Sequence, residues 1–183
     1  MRLCHALALA LIIPFAPAVP AGEPASTYLG QEEREIKALS AGDIDAYLSG
    51  QGMGLARAAE LNGYPGPAHV LELAAELGLS RDQLERTQAL HASMRSRAVE
   101  LGRQLVAEER NLDRLFASGA VTPERLSASL AAMGELQARL RGVHLEAHLT
   151  QAGILDPEQM VRYAELRGYR HAAARPAPHP HRH

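Results

Sequence analysis

The chain predicts an all-α fold: a long antiparallel helical hairpin with short flanking helices, in a form that dimerises. Three observations predict it. Over 81–118 and again over 123–151, apolar residues recur at helical spacing for many turns, and no stretch alternates as a strand would. Between those segments lies only "SGAVTP", a short turn. The phrase Leu79-Ser80-x-x-Gln83 returns as Leu155-Asp156-x-x-Gln159, each time at a helix start. Two helices alone would bury only a seam, so the flanking helices, a second copy, or both are needed to complete a core.

From the N-terminus, residues 1–21 carry Arg2, an apolar run through Ile13, and then small residues with prolines. This is the pattern of a secretory signal peptide, cleaved after Ala18 or Ala21. The run is well short of the roughly 20 residues a span needs, so no stable membrane span is expected after cleavage. Cys4, the single cysteine, has Met1-Arg2-Leu3 before it instead of a lipobox and would leave with the signal. The mature chain is therefore expected to have neither disulfide nor thiol chemistry. Residues 22–30 read as a flexible leader. Residues 31–66 read as a broken-helix region, with "QEEREIKALS", "DIDAYLS" and "GLARAAEL" separated by Gly42 and by "GQGMG" at 50–54. "NGYPGP" (62–67) is dense turn chemistry. A short helix from Pro67 to Leu77 follows, with Gly78 as its stop.

Residues 67–168 form the expected hairpin domain. Its first long helix carries a seam that includes Leu84, Met94, Leu101, Leu105 and Leu112; its second carries Leu126, Met133, Leu136, Leu140 and Val143. A last short helix covers 157–168. The Pro/His-rich tail, 169–183, has nothing to bury and is expected to be disordered.

Composition narrows the function. Without residues 1–21 the chain has 18 basic against 21 acidic side chains, with the signs interspersed. That argues against a nucleic-acid partner. There is no Trp, and Phe116 is the only Phe beyond the signal, so the core must be Leu, Ala, Val and Met. No Walker-A loop, nucleophile elbow or zinc-protease motif occurs, and carboxylate pairs such as Glu108/Glu109 lie on helices rich in Arg. An enzyme is not expected.

The repeated phrase has a direct physical meaning. Ser80 and Asp156 are strong N-caps, and Gln83 and Gln159, three positions on, can reach back to the cap N–H and close a capping box. Leu79 and Leu155 then sit at the staple position against Leu84 and Met160. Each phrase is explained as a helix start. Their arrangement, one opening a long helix and the other a short terminal helix behind a signal peptide, resembles the LTxxQ-motif family. That family comprises the Spy/CpxP-type periplasmic stress proteins and the related periplasmic heavy-metal-resistance proteins of the ZraP and CnrX type. "GYPGPAHVLELAAELGLS" is also similar to a stretch found in that group, and Ser80 and Asp156 stand where Thr is usual. The resemblance covers about 67–168.

That resemblance implies a periplasmic, ATP-independent, chaperone-like stress protein, binding unfolded periplasmic proteins or the sensor domain of a membrane kinase, and the seam left by a lone hairpin makes a homodimer the expected form. No cofactor is required by that reading. Met94, Leu101, Leu105, Met133 and Leu136 are the candidate client-facing residues, with seam packing as their competing and favoured role. The alternative is a heavy-metal-binding or sensor protein. His144 and His148 are one helical turn apart, a spacing a metal can bridge. With a turn near residue 120, His91 falls opposite His148, and Met94 or Arg95 opposite His144. His91, Met94, His144 and His148 are the candidate ligands for Zn, Ni or Cu. The plainer expectation puts His144 and His148 on the solvent side and makes His91 a partly buried, bonded residue. His69-x-x-Glu72 reads as a solvated pair.

Overall fold

The computed structural model describes residues 26–169. The expected signal peptide at 1–21 and the tail from 170 onward lie outside the described residues. Among those described there are helices and no strand: α1 (Ala41–Ser49), α2 (Arg57–Glu60), α3 (Pro67–Glu72), α4 (Arg81–Ala117), α5 (Pro123–Ala152) and α6 (Pro157–Leu166). No helix among them is long and apolar enough to cross a membrane.

The long helices start where the caps place them. Ser80 caps α4, Thr122 caps α5 ahead of Pro123, and Asp156 caps α6 ahead of Pro157. With 37 residues, α4 is roughly 55 Å long. It packs along α5. Thr87 meets Gln151, Arg97 meets Glu146, and Glu108 meets Ser129, so residue number climbs along one helix as it falls along the other. Ala98, Leu101, Leu105, Met133, Leu140 and Val143 form the core between them. A second cluster closes the base: Val70 and Leu77 pack with Leu155 and Tyr163, flanked by Leu79 and Met160.

The N-terminal region departs from expectation. "QEEREIKALS" forms successive turns with i→i+3 bonds and no α-helix. It buries only Ile36, so it lacks the apolar stripe that would hold a helix against the rest. Its acidic and basic groups point instead at α4: Glu35 pairs with Arg110 at 2.8 Å, and the Lys37 N–H donates to Asp113 at 3.0 Å. The expected helix over "GLARAAEL" shrinks to the four residues of α2. Likewise α3 stops at Glu72, with turns carrying the chain on to Gly78, and α6 stops at Leu166.

Residues 41–66 lie across the long pair. Tyr47 and Leu55 pack against the α4–α5 core. Tyr47 crosses α4 at Gly102, where an added Cβ would overlap the Tyr47 carbonyl group. Glycine there is what lets the two backbones approach so closely.

Candidate functional site

The two Gln phrases meet. Each Gln Oε1 accepts from its own N-cap N–H, Ser80 for Gln83 and Asp156 for Gln159, both at 3.0 Å. Each cap side chain accepts in return from the Gln N–H. The side-chain amides then bond each other in both directions, Gln83 Nε2 to Gln159 Oε1 at 2.7 Å and Gln159 Nε2 to Gln83 Oε1 at 3.1 Å. Gln83 also donates to the Ile154 carbonyl and Gln159 to the Leu77 carbonyl, each the chain leading into the other phrase. Two capping boxes separated by 76 residues thus form one clasp that fixes α6 to the start of α4. Capping requires an oxygen three residues before Gln; the clasp requires an amide, which offers donor and acceptor together.

A second polar centre lies nearby, and sequence reasoning missed it. Glu60 of α2 is nearly buried. Its Oε1 accepts from the Tyr163 hydroxyl at 2.6 Å and the Tyr169 hydroxyl at 3.0 Å, and its Oε2 accepts from the Gly66 N–H at 3.1 Å. Arg167 Nε lies 3.4 Å from Oε1, close enough for an ion pair but not aligned as a hydrogen bond. Burial, then the hydrogen bond to Glu60 and its charge, push the Tyr163 phenol well above the usual tyrosine value. Arg167 also lies over the Tyr169 ring at 5.8 Å. No local pattern marks Glu60, because its tyrosine partners are more than 100 residues away.

The histidines are placed differently from one another. His148 donates from Nδ1 to the Tyr64 carbonyl at 2.8 Å and lies 3.7 Å from Glu60. Its opposite edge packs on Gly66, where a Cβ would sit 3.0 Å from Nε2. His144 is 4% exposed, and its buried Nε2 faces no hydrogen-bond partner. Burial, then the neighbouring His148, hold its pKa below the ordinary value. The solvent-side position expected for these two rings is therefore corrected: residues 52–66 cover them. His91 is half-buried on α4, beside Arg95 and Val99. Among the described residues no group of three or more His, Cys, Asp or Glu is placed to hold a metal ion. Met94 packs against the α4–α5 core.

Of the candidate client residues, Leu101, Leu105 and Met133 are buried in the core, and Met94 and Leu136 are half-buried against it. They are seam residues in this folded chain, and the accessible surface between the helices is different. A cleft of about 680 Å³ is lined wholly by α4 and α5, with Leu101 and Val143 at its base and Arg97, Glu100, Arg139 and Glu146 around it. The periodicity located the seam; the cleft's charged lining was not singled out because each of its residues resembles an ordinary helix surface.

No family model, curated protein or solved structure matches the chain.

Proposed function

We propose that this chain is an exported, ATP-independent, chaperone-like stress protein of the LTxxQ-motif kind, acting from the periplasm. In this reading α4 and α5 form an antiparallel hairpin that dimerises, and its surface holds unfolded or partner proteins. The observation that carries the reading is the clasp. Gln83 and Gln159 bond each other as well as their own caps, which gives the repeated phrase a reason to recur as a pair. The cleft between the long helices supports the reading with a chemistry suited to binding: Leu101 and Val143 among Arg97, Glu100, Arg139 and Glu146. Such a surface grips apolar segments weakly, while the charged lining keeps it soluble, so release needs no nucleotide.

The test is light scattering of a chemically denatured client diluted into buffer without nucleotide. Suppression of aggregation at near-stoichiometric ratios supports the proposal; an unchanged aggregation curve refutes it.

A second reading, metal binding through His144 and His148, draws on their one-turn spacing and on the unpartnered Nε2 of His144. Against it, His148 commits Nδ1 to Tyr64 and packs Nε2 against Gly66. Calorimetric titration with Zn²⁺, Ni²⁺ and Cu²⁺ separates the two readings. Submicromolar binding lost in a His144→Ala/His148→Ala double variant, with no effect on aggregation, would favour the metal protein.

A further inference from the structure

Residues 41–66 are docked in an unusual way. Every buried residue in the segment is small: Ala46, Ala56, Ala59, Pro65 and Gly66. Of its larger apolar side chains, Leu48, Met53 and Leu61 are 40%, 42% and 62% exposed, and Ile44, Tyr47 and Leu55 are only half-buried. Because apolar stabilisation scales with area removed from water, this segment gains little from burial for its length. Its helices, nine and four residues long, are too short to persist alone. Between them the backbone turns through Gly50 and Gly54 at positive φ, with Met53, a non-glycine residue, at φ +44°. A segment of this kind belongs to the part of a protein that opens locally at low cost.

Its polar ties are concentrated near one end. The Glu60 carboxylate gathers the Tyr163 and Tyr169 hydroxyls and the Gly66 N–H, with Arg167 beside it. The Tyr64 carbonyl next to it takes the His148 N–H. Towards the other end the polar ties to α4 are the single Arg95 bond to the Ser49 carbonyl and, before the segment, the exposed Glu35–Arg110 pair and the contacts of Lys37 with Asp113. Exposed pairs of that sort contribute little. Beneath the segment lies the α4–α5 core, which Tyr47 and Leu55 help to cover.

From this geometry we infer that residues 41–66 are an autoinhibitory strap, latched by Glu60, which covers an apolar client-binding face of the α4–α5 pair. Tyr47 and Leu55 occupy the places that apolar side chains of an unfolded client take once the strap lifts. The Glu60 cluster is the latch because one side chain there joins α2 to α6 and to the residues just after it, so its loss frees the strap without touching the seam. The inference rests on the chaperone reading for its function and on the docking alone for its mechanics.

The experiment compares the full mature chain with Glu60→Ala by hydrogen exchange and by aggregation of a denatured client. In Glu60→Ala, amide exchange in 41–62 is expected to rise roughly tenfold or more, the order that follows from losing one or two net hydrogen bonds. Exchange within the α4–α5 core is expected to stay within about twofold, since distant sites act nearly independently. Client suppression is expected to improve over wild type. Tyr163→Phe, which keeps the ring and deletes the 2.6 Å bond, is expected to give a smaller change in the same direction. Equal increases in exchange across the strap and the long helices would overturn the inference, because residues 41–66 would then be an integral part of the fold. A freed strap with no gain in client binding would overturn the autoinhibitory role. If neither protein suppresses aggregation the chaperone reading fails, and that result is distinct from the exchange result, which still decides whether Glu60 latches the strap.

Discussion

Replacing Gln159 with Ala tests whether the clasp is a structural joint or two unrelated helix caps. Gln159 is 9% exposed and takes part in four side-chain hydrogen bonds, with the Asp156 N–H, the Leu77 carbonyl and, in both directions, the Gln83 amide. A net contribution of about 0.5–1.5 kcal/mol per bond, with some partners left buried and unpaired, puts the cost at about 3 kcal/mol. Gln83 is more accessible and should cost about 2 kcal/mol. Two of the bonds are shared, so the double variant should cost about 1–2 kcal/mol less than the sum of the singles. An isolated cap sets the scale: Ser40→Ala, at the α1 capping box, should cost about 1 kcal/mol. Urea unfolding of the four variants and wild type provides the comparison. If Gln159→Ala costs no more than Ser40→Ala, or the two Gln effects simply add, the clasp does not join α6 to α4 as described.

Three further predictions follow from packing and charge. Gly102→Ala places a methyl into the Tyr47 carbonyl group and should cost about 2 kcal/mol or more, with faster exchange in Ala41–Ser49 as the sign that α1 has shifted. His144 has its pKa lowered by burial and by His148, so the unfolded chain binds more protons below its ordinary value of about 6.5. Stability from this group is therefore complete above that pH and declines as pH falls through the window beneath it. Urea midpoints at pH 7.5 and 5.5 should show the decline, and His144→Phe should reduce it. Gln151 is fully buried, its Nε2 bonded to Thr87 and its Oε1 without a partner. Changing both partners, Thr87→Val with Gln151→Leu, should be neutral or raise the melting temperature, whereas Gln151→Leu alone should not.

The long helices were legible because their caps and periodicity are local. Ser80, Thr122 and Asp156 begin α4, α5 and α6 where their sequence places them, and the apolar rows at Leu101, Leu105 and Met133 mark the seam. The same periodicity could not separate a seam residue from a client-facing one, since both are apolar at the same spacing. Gln83 and Gln159 were readable as the closing residues of capping boxes, while their mutual bonds depend on chain returning from far away. Residues 31–66 were misread in part because charged text such as "QEEREIKALS" has good helix propensity, yet here Glu35 and Lys37 bond to α4 and only Ile36 is buried. Tertiary contacts override propensity where the apolar stripe is missing. His144 was expected in solvent for a related reason: Gly52 lies against its ring, on a segment whose docking no local pattern predicts.

The central claim is that the surface between α4 and α5 takes hold of unfolded chains. It is tested most directly with a photo-crosslinking residue placed at Arg97, on the cleft, and separately at Val161, 42% exposed on α6. Each protein is mixed with a denatured client and irradiated. The account predicts client adducts from position 97 and few from 161; adducts of equal yield at both positions, or none at 97, would contradict it.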